Sequence, residues 1–165
     1  MRTSFIHDQQ EIDKIINGCD HCFVGITEKD GSPYVIPMNF AYHDGQIIMH
    51  SGPEGKHLEL LEIDNRVCVT FCTENNKLMY QHPDVACSYA MNSKSVLIKG
   101  KIEFVEDFDE KSRLIGIFMK YYVNRDFKIS DPAIRNLKIW VLKSEIVTAK
   151  AFGQNFRYEE NVVER

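Results

Sequence analysis

Between Gly45 and His57 the chain reads G-Q-I-I-M-H-S-G-P-E-G-K-H. A hydroxyl (Ser51), an ammonium (Lys56) and two imidazoles (His50, His57) fall within this one short segment. The apolar run Gln46 to His50 has strand character and breaks at Ser51-Gly52-Pro53-Glu54-Gly55, and a helical pattern restarts at Lys56-His57-Leu58. A strand that opens through small residues into a helix presents unpaired backbone N–H groups, which suit a phosphate. A lysine at a helix start is disfavoured by the macrodipole unless an anion stands between them. The bland alternative is an ordinary strand-to-helix loop with solvated polar groups. The spacing is not G-x-x-x-x-G-K-[ST], so a nucleotide P-loop is not expected. Alternation along the strand puts His50 on the opposite face from Met49 and Ser51. A positioned imidazole there is a candidate acid or base.

Other reactive side chains are less organised. Cys19-Asp20-His21-Cys22 is a C-x-x-C enclosing a histidine, but a structural zinc needs four ligands and no second pair occurs. Cys19 follows a helix stop and Cys22 opens a strand, so the two thiols are expected in different surroundings. Cys68 and Cys72 read most simply as core residues of a β-forming run. Trp140 and the tail aromatics Phe152, Phe156 and Tyr158 suit a core, a dimer interface or ring stacking equally. No G-x-G-x-x-G nicotinamide fingerprint is present.

The chain has 165 residues, enough for one sizeable core, and a net charge of −4 with pI near 5.9. That balance argues against a broad nucleic-acid surface, which needs surplus Lys and Arg. A small bound anion needs only one local positive turn. Five cysteines, an odd number, and no apolar leader argue against a disulfide framework and for a cytoplasmic protein. No repeat or linker divides the chain, so one domain spanning 1–165 is expected, with residues 150–165 as a polar tail.

The elements that must position these groups follow from caps, turns and periodicity. Asp8 with Glu11 has capping-box spacing, Ile12, Ile15 and Ile16 give an apolar face, and Gly18 stops the helix. Cys22–Thr27 is a strand and Glu28–Ser32 a hairpin turn centred on Asp-Gly. Pro33–Tyr42 is the returning strand, with an edge, bulge or break expected at Pro37. The turn His43-Asp44-Gly45 then makes a three-strand meander. A helix over Lys56–Ile63 leads to a strand over residues 66–73. Residues 74–83 read as irregular and 84–91 as a short strand. Lys94–Val105 alternates, with Val96, Ile98, Ile102 and Phe104 on one face and a bend at Gly100. Asp107–Tyr122 carries the clearest helical stripe, and Lys138–Ala149 is a last strand. Six or seven antiparallel strands with two or three helices predict an α+β, mainly β, Greek-key split β-barrel.

Several segments together carry a family resemblance. They are Asp30-Gly31-Ser32-Pro33-Tyr34-Val35-Ile36-Pro37-Met38-Asn39-Phe40, Ile48-Met49-His50-Ser51-Gly52 with Glu54-Gly55-Lys56, Asn65-Arg66-Val67-Cys68-Val69, and Cys87-Ser88-Tyr89-Ala90-Met91-Asn92-Ser93-Lys94-Ser95-Val96 before Gly100. In this order and at these spacings they resemble the split-barrel flavoproteins related to pyridoxamine 5'-phosphate oxidase, and within them the nitroimidazole-resistance (Nim) proteins. The likeness spans roughly residues 5–150. It implies a homodimer with two FMN molecules at the subunit interface. Pro37, Met38 and Asn39 would lie along the flavin ring. Met49, His50 and Ser51 would end the next strand near the ring and ribityl chain. Lys56, with His57 at the helix start, would take the phosphate, and Ser95 and Val96 would approach from a later strand. His50 is then the candidate catalytic residue, able to donate to a nitro oxygen as electrons arrive.

The activity the resemblance implies is flavin-dependent reduction of a nitroimidazole-type compound or related small molecule. NAD(P)H would bind transiently over the flavin, or electrons would come from another protein. A carrier or redox sensor without turnover, and an F420- or haem-handling protein on the same barrel, are the alternatives. Oxidases of pyridoxamine phosphate proper carry an R-L-x-P signature near the C-terminus. This chain ends Asn155-Phe156-Arg157-Tyr158-Glu159-Glu160 without it, so B6 oxidation is not expected.

Overall fold

The structure is a computed structural model and describes residues 3–73, 77–153 and 162–163. Its first helix, α1 (Gln9–Asn17), starts where the Asp8 carboxylate accepts from the Glu11 N–H and stops at Gly18. Capping by a side-chain acceptor satisfies one of the orphan donors of the first turn, so this boundary is set locally. The same logic starts α3 (Phe108–Tyr122) at Asp107, whose carboxylate accepts from the Glu110 N–H. The helix α2 (Lys56–Ile63) begins at Gly55 with no side-chain cap.

The strands are β1 (Thr3–Ile6), β2 (Cys22–Thr27), β3 (Pro33–Met38), β4 (Ala41–His43), β5 (Gln46–Ser51), β6 (Arg66–Cys72), β7 (Lys77–Met79), β8 (Ala90–Val105), β9 (Lys138–Phe152) and β10 (Val162–Val163). A short helix α4 (Asp131–Asn136) and a 3-10 turn over Ala86–Ser88 complete the described elements. The main strand order is β3-β2-β6-β8-β9-β5-β4. This is the mainly antiparallel α+β architecture of the split β-barrels. Ten strands among the described residues exceed the six or seven expected: seven form this path, and β1, β7 and β10 pair off it.

Contacts within the chain group into two compact units. The larger comprises Asp20–Val69 and Ile98–Ile146. Here the hairpin β2/β3 is closed by Asp30, whose Oδ1 accepts from the Ser32 N–H and hydroxyl at 2.9 and 2.6 Å. A buried cluster of Ala41, Ile48, Leu114, Ile115, Phe118, Ile139 and Val141 packs α3 on β4, β5 and β9. Gly100 lies where β9 passes so closely that a Cβ would collide with the Lys143 carbonyl oxygen. The bend read from the sequence is thus a close backbone approach.

The smaller unit comprises Met1–Cys19, Thr70–Leu97 and Val147–Arg165. Within it, β1 pairs with the end of β9, β7 with the start of β8, and β10 with β7. Ile12, Ile15 and Ile16 of α1 are buried, and Lys94 donates to Glu11.

Four expectations change. The returning strand divides: β3 ends at Met38 and β4 begins at Ala41, and the two lie at opposite ends of the strand order, so there is no three-strand meander. Pro37, on the edge strand β3, pairs with Phe23 of β2, and an edge is where a proline's missing N–H is tolerated. The break is held by Tyr122, whose hydroxyl accepts from the Phe40 N–H at 3.0 Å and lies 2.7 Å from the Phe40 carbonyl. Residues 74–83 contain β7, and the strand expected over 84–91 is instead the 3-10 turn with β8 starting at Ala90. The helix α4 and strands β1 and β10 carry no sequence expectation, and α4 brings the α-helices to four among the described residues. Cys68 and Cys72 are not core: Val67, Val69 and Phe71 take the buried face of β6, leaving Cys68 half-buried and Cys72 exposed. Phe156 and Tyr158 lie outside the described residues.

Candidate functional site

The turn after β5 is built as its residues imply. Gly55 sits at φ 144° and ψ 156°, a region open essentially only to glycine. A Cβ on it would lie 2.6 Å from Cε1 of His57, so the missing side chain also makes room for that ring. The His57 ring in turn tilts against Trp140 at 5.3 Å between centroids. Its Nε2 is buried with no hydrogen-bond partner, and burial pushes the imidazole below its ordinary pKa. Trp140 is fully buried on β9, and its indole N–H donates to Ser51 Oγ at 3.2 Å. Ser51 also donates to the Gly52 carbonyl at 2.9 Å. Trp140 therefore links Ser51 and His57 into one group.

Lys56 is not a bare cation at the helix start. Its Nζ donates to Glu28 Oε1 at 2.7 Å and lies 4.9 Å from the centre of the Tyr34 ring. The hydrogen bond to Glu28 raises the lysine pKa. The anion required beside a lysine at a helix N-terminus is, in this structure, a carboxylate from the β2/β3 turn. The Lys56 side chain is about half exposed and that of Glu28 less so, at 51% and 28%, so solvent screens the pair and it contributes little to stability.

His50 faces elsewhere. It pairs with Ile139 in the ladder, and its ring lies 4.4 Å from that of Phe118 on α3. It lines a cavity of about 410 Å³ together with Ile115, Met119 and Leu137. Its Nδ1 is buried without a hydrogen-bond partner, and burial lowers its pKa. Met49, on the opposite face, is fully buried with its sulfur 3.9 Å from Cys22 Sγ. The alternation read from the sequence is correct, and its consequence is that His50 does not share the turn with Ser51, Lys56 and His57.

Of the other expected cofactor contacts, Pro37 and Asn39 are exposed and Met38 is half-buried on the β3 edge. Asn39 Nδ2 donates to the Asp20 carbonyl at 3.3 Å. Ser95 and Val96 belong to the smaller unit, Ser95 half-buried and Val96 fully buried. Cys19 Sγ contacts the Ile15 and Cys72 carbonyls, whereas Cys22 meets Met49. No three His, Cys, Asp or Glu side chains converge on a metal position among the described residues. Another cavity, of about 450 Å³, is bounded by the β2/β3 turn, Arg66, Cys68 and Lys99, and includes none of the expected site residues. Glu28 and Tyr34 are the residues that sequence reasoning missed, and Trp140, expected in a core, an interface or a ring stack, was not connected with this turn. Their partners are distant in the chain, and only the lone tryptophan was conspicuous.

The fold is thus an antiparallel split barrel in which β5 opens through small residues into a helix without a side-chain cap. The chain belongs to the pyridoxamine 5'-phosphate oxidase family, whose model matches residues 8–151. A solved structure of a candidate 5-nitroimidazole antibiotic resistance protein from Bacteroides thetaiotaomicron is 46% identical, with 92% of this chain and 88% of that one covered and a TM-score of 0.83. The flavocytochrome of Azotobacter vinelandii shares the fold at 18% identity, with 98% and 72% covered and a TM-score of 0.78. An FAD- and haem-binding protein of Mycobacterium smegmatis does so at 12% identity, with 100% and 77% covered and a TM-score of 0.75. No curated protein matches the chain. No helix among the described residues is long and apolar enough to cross a membrane.

Proposed function

We propose that this protein is an FMN-dependent oxidoreductase that reduces nitroimidazole-type nitro compounds or a related small molecule, working as a cytoplasmic homodimer with flavin at the subunit interface. The observation that carries this reading is the 46% identity, over 92% of the chain, to the candidate 5-nitroimidazole resistance protein. Local geometry supports the cofactor. The start of α2 has no side-chain cap, Gly55 makes room for the His57 ring beside it, and His57 Nε2 is a buried polar atom without a partner. These features fit a phosphate-bearing flavin.

In this reading Lys56 exchanges Glu28 for the phosphate and supplies a charge-assisted hydrogen bond. Ser51, its hydroxyl oriented by the Trp140 indole, and His57 hold the adjoining polar part of the cofactor. The exposed β3 edge at Pro37, with Met38 and Asn39 beside it, lies along the ring. The cofactor supplies the electron transfer itself. The protein binds it, orients it and limits water around the reacting group.

An absorption spectrum of the purified protein tests this directly. Bands near those of free FMN, with FMN released on denaturation and bleached by anaerobic reductant, are expected, followed by reoxidation with a nitroimidazole. Colourless protein that does not take up added FMN would overturn it. A Soret band would favour haem, which the Mycobacterium smegmatis relative binds together with FAD. Tight FMN without turnover of any nitro compound would favour a carrier or sensor.

A further inference from the structure

The outer face of β2, β6 and β8 carries a thiol in surroundings that the cofactor turn does not use. Each of these strands alternates buried and outward residues, and the outward set includes Gly25 and Thr27 of β2, Arg66 and Cys68 of β6 and Lys99 of β8. All five line the cavity of about 450 Å³, together with Ser32 of the β2/β3 turn, and all belong to the larger unit. The volume lies in the range of small-molecule pockets. Strands β2, β6 and β8 are neighbours in that order, and Cys68 sits in the middle of a row across them. On one side is Gly25, where a Cβ would stand 3.3 Å from the Cys68 carbonyl oxygen and 3.8 Å from its Cβ, so the missing side chain leaves room alongside the thiol. On the other side the Ile102 N–H donates to the Asn65 carbonyl at 2.8 Å, and three residues along the ladder this register sets Lys99 across from Cys68. Side chains so paired stand about 5 Å apart at their Cβ atoms. No carboxylate lines the cavity. Two touch its lining from outside and both are engaged, Asp30 by Ser32 and Asp64 by Arg66. Asp64 offsets much of the Arg66 charge, which leaves Lys99 to decide what the groove attracts.

We propose that Cys68 is a modification site, and that the cavity seats an acidic low-molecular-mass disulfide, of the peptide-thiol class of oxidised glutathione, for exchange with it. A cationic groove without carboxylates raises the local concentration of an anionic reagent and lowers that of a cationic one. In the exchange the Cys68 thiolate, its proton lost to water, attacks one sulfur of the disulfide. The bond from Cys68 Sγ forms, the S–S bond of the reagent breaks, and the other half leaves as a thiolate that takes up a proton. Cys68 is oxidised and one sulfur of the reagent is reduced, so the disulfide itself is the oxidant. Cys72 is the built-in comparison: it stands four residues further along the same face of β6, is the more exposed of the two, and does not line the cavity. The inference goes beyond the flavin reading and does not require it.

The test treats full-length protein at low ionic strength with oxidised glutathione or, in parallel, with cystamine, a disulfide of opposite charge. Acid stops the exchange at timed intervals, and mass spectrometry of non-reduced fragments locates each adduct; Cys68→Ser confirms the assignment. The ratio of the two rates at one thiol, compared with the same ratio at another, cancels exposure, thiolate fraction and the intrinsic reactivity of the reagents. The glutathione-to-cystamine ratio at Cys68 is expected to exceed that at Cys72 by about tenfold or more, the size of a contact between opposite charges in a partly screened groove. High salt should bring the two ratios together. Lys99→Glu, at an exposed position, is expected to lower the ratio at Cys68 by about tenfold and to leave that at Cys72 nearly unchanged. A Cys68 that stays unmodified in the folded protein and reacts only once urea unfolds it would overturn the site. Equal ratios at Cys68 and Cys72, or a ratio at Cys68 unmoved by Lys99→Glu, would overturn the ligand class. Flavin content is read separately from the visible spectrum, so failure here and failure of the cofactor reading are distinguishable.

Discussion

Replacing Gly55 by alanine tests whether the turn before α2 is built for a ligand or merely tolerates one. At φ 144° and ψ 156° an alanine is held in a backbone region essentially reserved for glycine, at a cost of about 1–3 kcal/mol. Its Cβ would also lie 2.6 Å from His57 Cε1, closer than such atoms approach, so the imidazole must leave its place against Trp140. For a chain of this size the strain corresponds to a fall in Tm of roughly 2–12 °C. Displacing His57 adds a term that is separable by a double-mutant cycle. In a His57→Ala background the collision disappears and the strain remains. The cost of Gly55→Ala should therefore be smaller there, by roughly 0.5 kcal/mol or more. Urea unfolding measures the stabilities, and quenching of FMN fluorescence on titration measures the cofactor affinity. Gly55→Ala is expected to weaken FMN by more than tenfold because it moves His57 and reshapes the uncapped start of the helix. A variant as stable as the parent would refute the strain argument. Unchanged FMN affinity would place the phosphate elsewhere.

Two further outcomes are expected. Lys56→Ala should weaken FMN roughly tenfold, as loss of a charge-assisted phosphate contact does, while Glu28→Gln should tighten it modestly by removing the competing carboxylate; weakening by Glu28→Gln would show that Glu28 positions the lysine. Burial lowers the pKa of both His50 and His57 below the ordinary 6.5. The unfolded chain therefore takes up protons before the folded one, so stability should decline as the pH falls below about 6.5 and level off once the folded imidazoles also titrate. Urea unfolding at stepped pH checks this, and His50→Phe should flatten the decline; an unaltered slope would remove His50 from the account.

Much of the fold was legible because it rests on near neighbours. Asp8 caps α1 three residues before Glu11, Asp30 holds Ser32, Asp107 starts α3, and Lys56 begins α2 where the small residues end. Such boundaries depend on hydrogen bonds within one turn and on an apolar period, and both are visible in a linear string. The short helix α4 was missed although Ser130-Asp131-Pro132 is a reasonable start, because six residues carry too little periodicity to stand out. Strands β1, β7 and β10 are two to four residues long and owe their existence to their partners. The division of Pro33–Tyr42 was half visible: Pro37 announced an irregularity, but the Tyr122 hydroxyl that ties down Phe40 comes from a helix far along the chain.

The site divides along the same line. By itself the sequence determined the inventory of the turn, the helix start at Lys56, the opposite facing of His50 and Ser51, and the family to which the chain belongs. Tertiary structure alone decided what each group meets: Glu28 and Tyr34 for Lys56, Trp140 for Ser51 and His57, and α3 with its cavity for His50. Alternation along a strand tells which side chains share a face, since the backbone pleat has a period of two. It carries no information about what covers that face. The partner is chosen when distant elements pack, and those long-range pairings arise from apolar burial across the whole core rather than from any local spacing.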